Sequence, residues 1–247
     1  MTYNFKTDYA RELHAQLPAG IPICFTRDDH MAECASMDFC EGTQSVQIRY
    51  KSTADEIVDI AHELIHVRMQ FLHGFPLLAW PSNCSGLTAD IEDAVKRIRD
   101  AVDDTYVLQQ LFADTAQLPV SAVFYREVRG DLKQGIMRLV QSVPALSRPF
   151  VAAWRLRLAD LSCCAFKSSL TTNQSQLAAD FLSRFKDKEP AVRDLFMHLK
   201  QDVGFAQLSD PQQFGRVLLG LRDKLGLPSW LHLATRQRVN GKWVLKQ

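Results

Sequence analysis

The chain has almost no excess charge of either sign: 29 Lys and Arg stand against 28 Asp and Glu over 247 residues, a formal net charge of +1. A balance of that kind leaves no electrostatic footprint for nucleic acid or an anionic membrane, so neither is expected as the main partner. No apolar run is long enough to span a bilayer. The opening MTYNFKTDYARELHAQ carries acids and bases throughout and has no apolar core of the secretory kind, so a cytoplasmic location is expected. Paired C-x-x-C spacing is absent. The six cysteines, at positions 24, 34, 40, 84, 163 and 164, include an adjacent pair that suits a reduced interior better than a disulfide framework. Internal repeats, low-complexity tracts and charge blocks are missing as well. What remains is an ordinary globular composition, 47% hydrophobic and 23% charged, long enough for one large domain or two small ones.

Periodicity and breakers give the organisation. Residues 6 to 17 have helical spacing and stop at LPAGIP. IPICF puts Ile21, Ile23 and Phe25 on one face, and QSVQIRY does the same with Val46, Ile48 and Tyr50, which predicts two half-buried strands. The next segment opens with Ser52 and Asp55 at capping-box spacing, runs with helical periodicity and meets Gly74 and Pro76. After the loop WPSNCSG, a long helix is expected from about Leu87 to Phe112. From residue 120 the pattern is mainly helical, punctuated by Pro144, Pro149, Pro190 and Pro211. The tail carries Asn240-Gly241 between two short alternating runs, a hairpin signal. The expected class is α+β: a small sheet and two helices, then a helical half and a closing hairpin. Residues 1–118 and 119–247 are the expected halves, or parts of one continuous domain.

One stretch stands apart. DIAHELIHVRMQFLHGFP, residues 59–76, sets His62, Glu63 and His66 inside an otherwise apolar run. Two histidines four residues apart on a helix lie roughly 40° apart in projection and roughly 6 Å apart along the axis, so both imidazoles can reach one ion. Glu63 then sits beside the open coordination position, where it can take a proton from a water acidified by zinc and return it to a leaving amine. Chance yields H-E-x-x-H roughly 0.01 times in a chain of this composition, which makes coincidence the weaker explanation. Ile60, Leu64, Ile65 and Val67 supply the bulk a buried site helix needs; Arg68 is unexpected in that surround. The alternative is a core helix with two hydrogen-bonded histidines.

A third ligand is required. His73 lies eleven residues past His62, roughly 16 Å away on a continuous helix, and reads instead as a helix-end residue facing the C-terminal dipole. Met69 and Leu72 stand where a metzincin would bend its chain. The acidic segment IEDAVKRIRDAVDDTYVLQQLF offers other donors. With Ile98 at the centre of its apolar face, Asp104 falls at the border of the stripe and Asp103 farther round. Asp100 has Lys96 one turn before it and Asp103 has Arg99, whereas Asp104 has no basic residue at i±4. Asp104 is therefore the leading candidate, with Asp103, Glu92 and Asp93 behind it and a solvated acidic face as the ligand-free alternative.

AHELIHVRMQFLHGFP followed by DAVDDTYVLQQL resembles the ImmA/IrrE-type HExxH zinc peptidases of bacteria over residues 20–115. The resemblance implies strands before the HExxH helix and a second helix that supplies the third ligand. It also implies zinc held by His62, His66 and the residue at Asp104, with Glu63 as general base. That family commonly uses Glu as third ligand, where this chain has Asp, and the helix-turn-helix that often accompanies it is not seen here. The functional expectation is a cytoplasmic zinc-dependent metallopeptidase acting on a protein or peptide; the alternative is a catalytically silent regulatory or binding protein of the zincin fold, acting through its helical half. Weaker features are read as structural: His30 and Cys34 at i, i+4, Tyr106, Tyr125, and the basic residues of RPFVAAWRLRL.

Overall fold

The computed structural model describes residues 3–31, 35–53, 56–113 and 208–247. Within them the fold is a mixed α+β arrangement of four helices and two small sheets, as the sequence pattern predicts for its class. No helix among the described residues is long and apolar enough to cross a membrane. The described residues divide into two units: those up to Pro76 with 107–113 and 234–247, and residues 77–106 with 208–233.

The first unit begins with α1 (Asp8–Ala15). Thr7 caps it by accepting the Ala10 N–H at 3.4 Å, and Tyr9, Ala10 and Leu13 form its buried stripe. Three strands follow: β1 (Ile23–Arg27), β2 (Ala35–Cys40) and β3 (Ser45–Tyr50). They form a mixed sheet of order β1-β3-β2, with β1 parallel and β2 antiparallel to β3, so that Phe25, Ile48 and Met37 stand side by side. Val46 and Ile48, both 0% exposed, are the inward side of the β3 alternation. β2 does not follow from the sequence pattern, because ASMDFC mixes small, acidic and apolar residues and only its pairing with β3 makes it a strand.

Helix α2 (Glu56–Phe71) lies against α1, β2 and β3. Val58, Ile60, Ala61, Leu64, Ile65, Val67, Met69 and Phe71 are all buried, more than one face can hold, which is the pattern of a helix enclosed by its unit. It ends where Gly74 takes φ +65, a conformation that costs other residues about 1–2 kcal/mol. There the N–H groups of Leu72 and His73 both donate to the Arg68 carbonyl at 3.0 Å.

The unit closes with the hairpin of β5 (His232–Val239) and β6 (Lys242–Lys246), antiparallel in the register Val239↔Lys242. Asn240 at φ +50 and Gly241 at φ +79 make the two-residue turn expected from Asn-Gly. Trp243 sets its ring edge-on to Phe71 at 5.2 Å, and its backbone N–H donates to the Gln44 side-chain amide oxygen. Gln44 itself sits at φ +52 in the β2–β3 turn.

In the second unit, β4 (Leu77–Ala79) packs against α4 (Pro211–Lys224). Pro211 reads as a breaker in sequence, yet it opens α4 at the first turn, where its missing N–H costs nothing; Asp210 caps the helix by accepting the Gln212 N–H at 2.8 Å. At the other end Leu227 N–H reaches the Arg222 carbonyl and Gly226 N–H the Asp223 carbonyl, each at 3.0 Å, with Gly226 at φ +67. α3 (Ala89–Ala113) matches the expected long helix to within two residues at each end and runs from the second unit into the first at Val107. The helical half expected between residues 120 and 207 lies outside the described residues.

Candidate metal centre

His62 and His66 come from α2, and the helix brings their rings together. The two Nε2 atoms are 3.0 Å apart, the ring centroids 4.8 Å apart, and the planes are inclined at 64°. Both residues are half-buried, while their neighbours Ala61, Leu64, Ile65 and Val67 are no more than 2% exposed. Nitrogens bound at about 2.0–2.1 Å to one tetrahedral zinc stand about 3.3 Å apart, so a shift of a few tenths of an ångström turns this contact into a chelating pair. The donor set fits zinc as far as these two residues go.

Glu63 is 7% exposed and is one of four buried polar side chains among the described residues, with Glu56, Gln70 and Asp103. It lies roughly 60° round the helix from His66, flanking the pair rather than joining it.

The remaining candidates separate. Asp104 is in α3, but its side chain lies outside the described residues, as does that of Asp93. Asp103 is only 4% exposed, which departs from the helical wheel that set it farther from the apolar face than Asp104. The reason is a stripe that rotates along α3: Val95, Ile98 and Val102 are buried in one half, Asp103, Val107 and Leu111 in the other. A wheel centred on Ile98 therefore misplaces Asp103, Val107 and Leu111. Glu92 is exposed in the helix's first turn. Among the described residues no group of three or more His, Cys, Asp and Glu side chains is arranged to hold a metal.

His73 stands beyond the end of α2 and is exposed, with Phe75 edge-on at 6.5 Å. The pKa of His73 is lowered, by partial burial and then by the Arg68 charge. Arg68 is half-buried on the side away from His66, and its Nε has no hydrogen-bond partner among the described residues. His30 is exposed in the turn after β1, not on a helix, so helical spacing with Cys34, which lies outside the described residues, does not apply. Tyr106 is 9% exposed and belongs to the core; Tyr125 and the RPFVAAWRLRL segment lie outside the described residues. Cys24, Cys40 and Cys84 are free thiols, and Cys24 is exposed.

Two polar positions on α2 were not singled out in the sequence. Glu56 is 4% exposed and collects three donors: Tyr3 Oη at 2.6 Å, Lys6 Nζ at 2.9 Å and Ser52 Oγ at 3.2 Å. Burial works to raise its pKa, but these hydrogen bonds and the Lys6 charge outweigh it, and the net shift is downward. Ser52 thus spends its hydroxyl on Glu56 rather than on a backbone cap of the kind its spacing with Asp55 suggested; Asp55 itself lies outside the described residues. Gln70, 3% exposed, accepts from Arg236 Nε at 3.2 Å. A signal existed for each: a Glu and a Gln set in register with buried apolar neighbours.

Comparison of the chain with protein-family models, curated proteins and solved structures finds no match.

Proposed function

We propose that the chain is a zinc-dependent, peptidase-type hydrolase with His62 and His66 as two of its metal ligands and Glu63 as its proton carrier. The observation that carries this reading is the 3.0 Å approach of the two Nε2 atoms beside a buried glutamate. Asp104 is the proposed third ligand and Asp103 the next candidate.

Bound there, zinc would supply a Lewis acid for a scissile carbonyl and lower the pKa of water. The protein's own contributions follow from its residues. His62 and His66 present Nε2 lone pairs to one point, which requires both rings to be neutral there. The Glu63 carboxylate, largely shielded from solvent, accepts a proton from the attacking water and delivers it to the departing amine nitrogen. Ile60, Leu64 and Ile65 keep bulk water away from the helix around the three polar groups. In this reading residues 1–118 are a zincin-like half and the substrate is a protein or peptide.

The test is metal content by mass spectrometry on the purified protein beside His66→Ala, Asp104→Ala and Glu63→Gln, with turnover of a broad peptide mixture. One zinc per chain is expected in the parent and in Glu63→Gln, and loss in the other two, with turnover in the parent alone. Zinc retained in Asp104→Ala moves the third ligand to Asp103 or beyond. Zinc binding with no turnover in the parent favours a silent binding protein, and a parent that takes up no zinc overturns the reading.

A further inference from the structure

We propose that residues 3–6 form a strap that acidification detaches from the first unit while the sheet and helices beneath it stay folded. The proposal does not depend on the metal reading. Tyr3, Asn4, Phe5 and Lys6 run outside any helix or strand and lead into α1, whose N-cap Thr7 makes its own bond to Ala10 without them. Among the described residues no backbone-to-backbone hydrogen bond ties these four to the rest of the unit. Their main chain is reached by one side chain, Arg11, whose Nη2 donates to the Phe5 carbonyl at 3.4 Å. Lifting the strap therefore breaks no backbone ladder.

What holds it is of two kinds. The rings of Tyr3 and Phe5 pack on Phe25 of β1 at 4.9 and 5.6 Å, Tyr3 also on Tyr50 of β3 at 5.4 Å and Phe5 on His14 of α1 at 5.1 Å. The second hold is Glu56, the first residue of α2. A carboxylate only 4% exposed keeps its charge in such a place only while donors surround it. The strap supplies two of its three donors, Tyr3 Oη and Lys6 Nζ; Ser52 Oγ is the other.

Both holds weaken in acid. Burial works to raise the Glu56 pKa, but the donors and the Lys6 charge bring it below the ordinary 4.5. Tyr3 is raised, by burial first and then by its bond to Glu56, so it stays a donor throughout. Arg27 at the end of β1, raised chiefly by Asp29, also feels the Tyr50 and Glu56 charges. His14 is lowered from 6.5 by burial; Phe5 and Phe25 lie against its ring, and Asp8 and Arg11 of its own helix pair with each other. A group whose attached-state pKa is depressed favours attachment above its ordinary value and loses that contribution as pH falls below it. His14 therefore loosens the ring contacts below 6.5, and Glu56 releases Tyr3 and Lys6 below 4.5. Release uncovers Phe25, Tyr50 and the first turn of α2.

Fluorine NMR of the full chain carrying para-fluorophenylalanine at position 5 reads the strap. Far-UV circular dichroism and tryptophan emission of the same samples read the fold beneath. In an acid titration from about pH 8 to about pH 4, the parent's fluorine signal is expected to pass from a packed ring to a solvated one before either fold signal changes. Glu56→Gln, which cannot ionise, should raise the detached fraction at neutral pH about tenfold, the size expected when a bond to a charged acceptor is lost. Tyr3→Phe should do the same by removing one hydroxyl, and serves in its place if Glu56→Gln does not fold. His14→Phe keeps a ring against Phe5 but cannot charge, and should move release to lower pH. A fluorine signal that stays packed until the fold signals change, or moves only with them, overturns the proposal. So does a release that none of these variants shifts.

Discussion

Tyr3→Phe should destabilise the first unit by an amount that can be worked from the structure. The substitution removes one hydroxyl and leaves the ring where it is, against Phe25 at 4.9 Å and Tyr50 at 5.4 Å, so apolar burial is unchanged. What disappears is a 2.6 Å hydrogen bond to a carboxylate that is 4% exposed. Bonds to charged acceptors contribute about 1.5–3 kcal/mol, and the Glu56 Oε1 has little water to replace the donor. For a chain of this length that corresponds to a fall in Tm of about 3–12 °C. Lys6→Met should cost less, about 0–1 kcal/mol, because Lys6 is 53% exposed and solvent screens its ion pair. The assay is thermal and urea unfolding of Tyr3→Phe, Glu56→Gln and the double variant. The double-variant cycle should return a coupling of about 1 kcal/mol or more, as expected of residues in direct contact. A Tyr3→Phe effect below about 0.5 kcal/mol, the range of ordinary surface changes, or additive effects in the cycle, would refute the view that Glu56 is held by its donors.

Other outcomes follow from the same geometry. Because the folded Glu56 carboxyl sits below its ordinary value of 4.5, its contribution to stability is fully present above that value and is lost as pH falls through it toward the folded pKa; a pH series of melts should show this loss in the parent and a shallower one in Glu56→Gln. Gly241→Ala should lower stability by about 1–2 kcal/mol, since its φ of +79 lies in the left-handed region. Gly42→Ala, where an added Cβ meets nothing within 4 Å, should be neutral or stabilising by up to about 1 kcal/mol, and melts of the pair side by side check both. Glu63→Gln should leave zinc content at the parent level while abolishing peptide turnover, read by metal analysis and chromatography of the same samples.

Local signals account for what the sequence made legible. Asn240-Gly241 announces its turn because both residues tolerate positive φ, and the α2 boundaries follow from Gly74 and an apolar run too dense for a loop. His62 and His66 stood out because a four-residue spacing on a helix sets two side chains on one face, and the structure brings their rings together at that spacing. What stayed hidden depends on partners distant in the chain. β2 is a strand only because β3 lies beside it, α4 was obscured by a proline that opens rather than breaks it, and the burial of Asp103 follows from a stripe that turns partway along α3. Glu56 and Gln70 could be located as polar intrusions in an apolar helix, but Tyr3 and Arg236 as their partners are 53 and 166 residues away.

The side-chain bond from Gln44 to the Trp243 N–H has a consequence for behaviour at high concentration. β6 is the outer strand of its sheet, and an outer strand offers unpaired amides to any extended chain that meets it. By occupying the amide of the second residue of a five-residue strand, Gln44 leaves only three residues beyond it, too short a free stretch for a foreign strand to register. The turn residue that carries positive φ thus acts as a guard against intermolecular sheet growth, and Gln44→Ala should raise the protein's tendency to self-associate before it measurably changes the fold.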